Sequence, residues 1–497
     1  YLDPPAPAGE PLTIAIAYRV TRPERGLYFR NANNGYTPAE TNVWSQGETE
    51  DNSHWFPSWD FPNDRATSEI IVTVPGEFDA FANGTLVNVA ENENGTRTFH
   101  WLHDIPHVNY LISLVIGHYL VLEDRAGEIP LRYIVRPEFE ETVERSFGKT
   151  PDMMTFFEEW TGQPYPWGQY SQIAVVDFIY GGMENTGITT MTERMLHDEG
   201  AGLVYSADGL VAHELAHQWF GDLLTCRDWS HLWLNEGFAT YFQALFFEHA
   251  FGQDEFVIEM IRYRESYYGL DDGPGRAPVV KQHYENPDEA INRRVYNKGA
   301  WVLHMLRHKL GDELFQEGIR EYVQRHKYTS VETNQLMRTL EEVSGHGLEK
   351  FFDQWLFREG YPEIEFGYAW NEDESTANVT IKQTQKTDSG TPVFEFTVPV
   401  LFGLERGEHI ETVDVTGAER CLSIPLDERP KFVRFDPDGT LLCKLTSKPG
   451  KDQLIDQLSR DPRVLGRIEA LDGLAEFKTD DAFEAVSRSL RDDSFWG

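Results

Sequence analysis

The sequence predicts an α+β protein of several domains, on the basis of its length and of two changes in hydrophobic periodicity. The chain has 497 residues, 40% of them hydrophobic, so it can form several cores and is too apolar for general disorder. Apolar residues follow period two before about residue 150, helical spacing up to about 361, and period two again afterwards. We therefore expect an N-terminal β domain (1–145), a mostly helical domain (146–361), a small β-sandwich (362–446) and a helical tail (447–497).

The first domain is predicted to be antiparallel. Short β-branched and aromatic runs, such as 12–18, 69–74 and 96–102, are separated by Asn-Gly, Pro-Gly and Asp-rich turns. Such turns join neighbouring antiparallel strands, so we expect hairpins here.

The helical domain is predicted to begin with Thr150 as an N-cap and Pro151 at the first helical position. Met154, Phe157 and Trp160 then recur at helical spacing. Further helices are predicted at 208–220, 236–250, 295–309, 312–326 and 348–358, with a strand pair near 173–178.

The last two regions follow a Gly-Tyr-Pro stop at 360–362. Runs at 378–383, 394–402 and 431–435 indicate strands of the sandwich. After a Lys-Pro-Gly linker, the apolar pattern marks two short helices and resembles the opening of a HEAT-like helical domain. So few helices cannot bury their own apolar faces, so the tail either ends early or docks on the preceding domains.

Charge excludes two classes of partner. The chain has 44 Lys and Arg against 82 Asp and Glu, a net charge of −38, which repels nucleic acids and anionic membranes. The longest apolar run, near 110–122, is too short to span a bilayer, so we expect a soluble protein. The sequence starts without Met and its N-terminus looks incomplete, so a cytoplasmic and a secreted or periplasmic location both stay open, as does the oligomeric state.

Cysteine usage does not decide the compartment either. Cys226, Cys421 and Cys443 are too few for a disulfide framework. Cys421 and Cys443 both lie in the sandwich and could form one bridge, although free thiols are an equal alternative.

The strongest chemical motif is His-Glu-Leu-Ala-His at 213–217. On a helix, His213 and His217 lie one turn apart on the same face, where they present two imidazoles to one metal ion, with Glu214 beside them. Surface histidines are the plain alternative, but the apolar flanks predict a buried helix, where unpartnered imidazoles would be costly to desolvate. Glu236, nineteen positions after His217, supplies the third ligand that a catalytic zinc needs, although an acidic residue in a first helical turn is also ordinary.

These residues resemble the gluzincin zinc aminopeptidases, a family that includes aminopeptidase N, puromycin-sensitive aminopeptidase and leukotriene hydrolase. The resemblance covers nearly the whole chain, and it implies a thermolysin-like α/β zinc catalytic domain for the helical region. Four motifs carry it: Trp-Ser-Gln-Gly-Glu at 44–48, Gly-Gly-Met-Glu-Asn at 181–185, the helix at 213–221, and Val-Tyr-Asn-Lys-Gly at 295–299.

The resemblance also implies a role for each matched residue. His213, His217 and Glu236 would bind one catalytic zinc, although cobalt or manganese would also suit these donors. Glu214 would be the general base, and Tyr296 would donate a hydrogen bond to the oxyanion.

The remaining matched residues would bind a peptide with a free N-terminal amine. Glu184, Glu48 and Gln46 would hold the amine, Tyr180 would line the first side-chain pocket, and the backbone at Gly182 would steady the substrate. The motif neighbours Gly181, Met183 and Asn185 complete the predicted substrate-binding set. Taken alone, the Gly-Gly turn is an ordinary surface loop and Tyr180 and Tyr296 are ordinary packing residues.

The predicted function is therefore a zinc-dependent aminopeptidase. The alternatives are a scaffold or binding protein on the same fold and a thermolysin-like endopeptidase, and an added epoxide-hydrolase activity stays open. Three positions depart from the family pattern: Thr186, Asp222 and His231. Asp222 and His231 are predicted either to orient the metal ligands or to be solvated or packed side chains.

Overall fold

The structure is a computed structural model that describes residues 9, 11–272, 276–387, 390–493 and 495. One continuous core joins the N-terminal, catalytic and sandwich regions, and a smaller core holds the tail helices together. Among the described helices, none combines the length and the apolar character that crossing a bilayer requires.

The N-terminal region forms two antiparallel sheets, as the turn pattern predicts, but the run at 12–18, expected to be a strand, is exposed and has no regular secondary structure. One has the strand order β1-β2-β7-β4 and the other β3-β6-β5. The strands are β1 (Leu27–Arg30), β2 (Asn42–Ser45), β3 (Arg65–Pro75), β4 (Asp79–Ala82), β5 (Thr85–Glu91), β6 (Thr96–Val108) and β7 (Leu114–Gly117).

A third sheet places the Gly-Gly motif beside the predicted metal helix. Its order is β11-β12-β10-β9-β8, with β9, β10 and β12 parallel and the outer strands antiparallel. The sheet crosses the predicted domain boundary at residue 145, because two of its strands precede this residue and three follow it. The strands are β8 (Leu120–Ala126), β9 (Ile129–Val135), β10 (Tyr170–Val175), β11 (Gly182–Met183) and β12 (Ile188–Thr192).

Helices dominate the next region. The prediction for 312–326 is confirmed, whereas Thr150 is not an N-cap: it lies inside its helix, where its hydroxyl donates to the Phe147 carbonyl. The helices are α1 (Val143–Phe147), α2 (Thr150–Thr161), α3 (Asp208–Ala216), α4 (Trp233–Phe251), α5 (Gln253–Asp271), α6 (Gly299–Leu310), α7 (Asp312–His326), α8 (Thr333–Ser344) and α9 (Glu349–Phe352). Two short parallel strands, β13 (Leu224–Cys226) and β14 (Thr329–Val331), and two π-helical turns, Arg294–Lys298 and Asp353–Phe357, complete the region.

The predicted β-sandwich follows. Its sheets have the orders β19-β16-β15-β21 and β18-β17-β20. Cys421 is exposed, Cys443 is buried, and all three cysteines of the chain are free, which resolves the question of a bridge. The strands are β15 (Glu363–Asn371), β16 (Thr376–Gln383), β17 (Phe396–Gly403), β18 (Glu408–Val415), β19 (Glu419–Pro425), β20 (Phe432–Phe435) and β21 (Lys444–Ser447).

The tail contains three helices rather than the two predicted: α10 (Lys451–Arg460), α11 (Val464–Ala475) and α12 (Asp480–Asp492). The tail docks on the sandwich, which is one of the two alternatives that the sequence left open. Arg434 of β20 is 2% exposed, and its guanidinium lies 2.8 Å from Asp461 and 2.9 Å from Glu469. A buried arginine paired with two carboxylates fixes the orientation of the tail at its first two helices.

Candidate active site

The two histidines and Glu236 converge as the motif predicts. His213 lies near the end of α3, and Glu236 lies in the first turn of α4. The Glu236 Oε2 atom is 3.3 Å from both His213 Nε2 and His217 Nε2, and the two imidazole nitrogens are 3.1 Å apart. Tetrahedral zinc ligands at about 2.0–2.1 Å from the ion would be about 3.3 Å from one another, which is close to these separations.

The surroundings of His217 fix which nitrogen faces the cluster. Its Nδ1 donates to the Phe220 carbonyl at 2.9 Å, so in the neutral ring the lone pair is on Nε2. α3 ends one residue earlier, and the chain turns through Gly221, whose φ of +135° favours glycine. This early end, four residues before the predicted one, lets the Phe220 carbonyl reach the imidazole.

The donors also fit a metal electrostatically. Glu236 Oε2 is buried and makes no hydrogen bond of normal geometry to a described residue. Burial alone would raise the pKa of Glu236, but His217 and His213 lower it to about 2. Burial opposes a charge on His217, yet Glu184 and Glu236 outweigh this and raise its pKa well above the usual value. The site therefore favours a cation, and metal binding would displace a proton.

A second group of side chains shares Glu236 with the metal ligands. Carboxylate oxygens of Glu48, Glu184 and Glu236 all lie within 4.8 Å of one another, and all three residues are buried. Burial and the neighbouring Glu184 and Glu236 raise the pKa of Glu48 well above its usual range. Burial likewise raises the pKa of Glu184, although His217 opposes this. A bound ammonium group would relieve this crowding of negative charge.

Glu214 lies beside the metal ligands on α3. It is 4% exposed, and its Oε2 atom has no hydrogen-bond partner among the described residues. Burial raises the pKa of Glu214 well above its ordinary value, because the opposing effect of His217 is smaller. A carboxylate with a raised pKa is a better proton acceptor near neutral pH.

Tyr296 faces the site from the π-helical turn Arg294–Lys298. Its ring stacks on His213, with centroids 5.9 Å apart and planes 18° apart. Burial raises the pKa of Tyr296 well above 10, and the neighbouring charge of Glu236 adds to this effect, so the phenol keeps its proton. Immediately after the turn, the backbones of Gly299 and Gly237 come so close that a methyl at Gly299 would lie 2.9 Å from the Gly237 Cα.

A cleft of about 440 Å³ contains most of the predicted residues. Of the predicted substrate-binding set, it is lined by Glu48, Tyr180, Gly181, Gly182 and Glu184. Tyr180 is 43% exposed and stands at the mouth. Apart from these residues and those at the metal site, the lining consists of Leu210, Thr240, Gln243, Tyr263, Ile291 and Asn297.

The other three predicted substrate-binding residues are buried behind this lining. Gln46 and Met183 contact each other, with 3.0 Å between Gln46 Nε2 and the Met183 sulfur. Asn185 donates to the Leu111 carbonyl at 3.3 Å and accepts from Thr190 at 2.9 Å. These contacts hold the Gly-Gly-Met-Glu-Asn segment in place.

Three supporting residues were not singled out by the sequence analysis. Tyr110 donates to Glu184 at 3.4 Å, and Asn235 donates to the Tyr110 hydroxyl at 3.2 Å. Asn235 also accepts from the Cys226 backbone N–H at 3.0 Å. Tyr110 lies at the start of the apolar run near 110–122, and no local signal marks it. A third, Gln218, donates to the Glu184 carbonyl at 3.0 Å, and its position in the metal helix motif was the available signal.

The departures from the family pattern have different surroundings. Neither Asp222 carboxylate oxygen nor the Thr186 hydroxyl has a hydrogen bond of normal geometry to a described residue, although all three atoms are buried. Burial, with Glu184 nearby, raises the pKa of Asp222 well above its usual value. His231 instead pairs with Thr333 of α8 at 2.9 Å and is not part of the ligand cluster.

Comparisons with known proteins identify similar chains. A family model described as the peptidase family M1 domain matches residues 145–355, and the peptidase M1 N-terminal domain matches residues 2–111. Aminopeptidase M1-A of Oryza sativa subsp. japonica is 31% identical over 406 residues, which cover 79% of this chain and 45% of that protein. Aminopeptidase M1 of Arabidopsis thaliana is 32% identical over 328 residues, covering 64% of this chain and 37% of that protein.

A solved structure shares the fold. The crystal structure of Legionella pneumophila aminopeptidase A in complex with aspartic acid aligns with a TM-score of 0.79 and 22% identity, over 95% of this chain and 56% of that one. This confirms the predicted multidomain α+β architecture. The chain spans less than half the length of the two plant relatives.

Proposed function

Because the chain belongs to peptidase family M1, we propose that it is a zinc-dependent aminopeptidase that hydrolyses the first peptide bond of peptides with a free amine. The observation that carries this proposal is the contact between two buried groups of side chains. The metal-ligand group and the three-carboxylate group share Glu236. A substrate ammonium among the carboxylates would therefore lie next to the metal site, as the first peptide bond requires.

His213, His217 and Glu236 would hold the zinc ion. When bound, zinc would polarise the scissile carbonyl and lower the pKa of a water molecule. Glu214, whose pKa burial raises, accepts a proton from the attacking water and passes it to the leaving amine. Tyr296, held in its protonated form, donates a hydrogen bond to the oxyanion.

Glu48 and Glu184 would pair with the α-ammonium group. A blocked or internal peptide bond offers no such charge, so both carboxylates would remain unpaired and desolvated, which penalises such substrates. Tyr180 would border the side chain of the first residue, and the Gly181 and Gly182 backbone would lie along the substrate. Gln46, Met183 and Asn185 would act indirectly, since they support this segment from behind.

Neither alternative function gains support from the site. An endopeptidase has no use for a buried group of carboxylates beside the metal ligands, and a scaffold has no use for a complete ligand set with a general base.

The proposal is tested with aminoacyl-amide reporters and their N-acetylated counterparts. We expect cleavage of the free-amine forms only, lost on chelation and restored by zinc. Cleavage of acetylated forms would move the assignment to an endopeptidase. A zinc-loaded protein that cleaves neither form would support a scaffold.

A further inference from the structure

Glu48 belongs to a loop, residues 46–51, that reaches from the N-terminal domain into the cleft. Glu48 is 6% exposed, and its carboxylate lies within 4.8 Å of those of Glu184 and Glu236. Carboxylates this close repel one another strongly where water is scarce. The backbone of the loop must therefore be held in place for Glu48 to stay at this position.

The first half of the loop is fixed inside its own domain. The Gln46 N–H donates to the Gly26 carbonyl at 2.9 Å, and the Asp51 N–H donates to the Gly47 carbonyl at 2.8 Å. Gly47 packs against the Tyr110 carbonyl so closely that a methyl there would overlap it. The loop meets the catalytic region through Gln46, which contacts Met183, and through Thr49, directly after Glu48.

Asp288 makes that contact from the 3-10 turn Pro287–Ala290. The Thr49 hydroxyl donates to Asp288 Oδ1 at 2.7 Å, and Thr49 is fully buried. The other Asp288 oxygen, Oδ2, lies 2.5 Å from Arg25 Nη2, and Arg25 Nε lies 3.1 Å from Asp51. Asp288 thus holds Thr49 directly, and it holds the far end of the loop through Arg25.

A second contact lies farther from Glu48. The Trp229 indole donates to Glu50 at 2.9 Å. Of these two contacts, the one with Asp288 involves a residue bonded to Glu48 and the one with Trp229 does not. Burial would raise the pKa of Asp288, but hydrogen bonds from Thr49 and Arg25 lower it, so the carboxylate is ionised and is a strong acceptor.

We propose that Asp288 is a positioning residue for recognition of the substrate α-amino group, because it fixes Thr49 and thereby holds Glu48 against Glu184 and Glu236. The inference rests on the proposed aminopeptidase function. Asp288 does not line the cleft and has no contact with the metal ligands among the described residues. It acts on the amine end of the substrate only.

The chain offers a matched control in the same turn. Glu289 is the next residue and also an acid in an ion pair, but it pairs with Lys281 at 2.8 Å and is 42% exposed. Glu289→Ala removes the same charge from the same turn without touching Thr49. Thr49→Val removes only the hydroxyl that donates to Asp288, at nearly constant volume.

The experiment measures inhibition of the zinc-loaded protein by an amino-acid hydroxamate and by the same hydroxamate without its α-amino group. We expect Asp288→Ala and Thr49→Val to weaken the amine-bearing inhibitor about tenfold and the amine-free one less than about twofold, since a hydrogen bond to a charged group is lost only at the amine end. KM for aminoacyl amides should rise with little change in kcat. Glu289→Ala should match the wild type, and Asp288→Asn, which keeps an acceptor for Thr49, should restore most of the selectivity.

Two results would overturn the inference: equal weakening of both hydroxamates, or an Asp288→Ala variant that matches Glu289→Ala. If Asp288→Ala fails to fold, Thr49→Val decides on the same criteria. A wild-type protein that cleaves no aminoacyl amide would instead refute the proposed function, so the two failures are distinguishable.

Discussion

The close contact between Gly237 and Gly299 should set the distance between a metal ligand and the oxyanion donor. Gly237 follows Glu236 in α4, and Gly299 follows the turn that carries Tyr296. A methyl at Gly299 would lie 2.9 Å from the Gly237 Cα, whereas carbon atoms normally approach to about 3.5–4.0 Å. Gly299→Ala should therefore push the two segments apart by about 0.6–1 Å.

A displacement of this size has a calculable effect. Misplacing a catalytic group by about 1 Å can reduce kcat about 100-fold, which corresponds to about 2.7 kcal/mol in the activation free energy. The overpacking should also cost about 1–3 kcal/mol of unfolding free energy. The assay compares kcat, zinc content and Tm of Gly299→Ala with those of the wild type.

Two controls separate positioning from general damage. Gly269 lies in α5, and the nearest atom to a methyl there would be 3.8 Å away, so Gly269→Ala should keep the wild-type kcat. If Gly299→Ala acts through Tyr296, it should reduce kcat much less in a Tyr296→Phe background than in the wild type. A folded, zinc-loaded Gly299→Ala variant with the wild-type kcat would refute the reasoning.

Three further substitutions test other groups of the site. Glu214→Gln should retain zinc and abolish turnover, as checked by metal analysis and kcat; substantial activity would exclude Glu214 as the base. Tyr296→Phe should lower kcat about 100- to 1,000-fold with little change in KM, and a loss confined to KM would contradict an oxyanion role. Asp222→Asn should raise the Tm of the metal-free protein more at pH 8 than at pH 5. The raised pKa of Asp222 means that the folded state binds a proton more tightly than the unfolded state does, so the wild type loses stability as pH rises above the unfolded value of about 3.9. A Tm difference that does not grow with pH would contradict this account.

The metal ligands were predictable because their geometry is local. His213 and His217 occupy one face of one helix at a fixed spacing, and burial of that helix followed from its apolar flanks. The motif placed Glu236 in the same cluster, although the spacing alone could not exclude an ordinary first-turn acid. The structure brings all three together with no change to the predicted set.

The supporting contacts were not predictable because they join residues far apart in sequence. Asn235 and Tyr110 are separated by 125 positions, and Thr49 and Asp288 by 239. No periodicity or turn signal encodes such pairs, which depend on how the sheets and helices pack. Apart from the run at 12–18, the strand content of 1–145 was recognised, but the pairing of its last strand, β9, with β10 depends on the same long-range packing.

Helix ends were the least accurate local prediction. Thr150 has the side chain of a good N-cap, but its hydroxyl donates to a backbone carbonyl instead, and the helix continues through it. The metal helix was expected to reach residue 220 but ends at Ala216. Beyond this end, the Phe220 carbonyl accepts a hydrogen bond from His217 Nδ1. A contact within the site therefore replaces the helical pattern that the sequence predicts here.

The central claim is that buried carboxylates beside a metal site select a free α-amine. The most direct test is the ratio of kcat/KM for an aminoacyl amide to that for the same amide with hydrogen in place of the amino group. The account predicts a large ratio for the wild type and a strongly reduced one for Glu48→Gln and for Glu184→Gln, with zinc content unchanged. A ratio near one for the wild type, or a ratio that neither substitution changes, would contradict it.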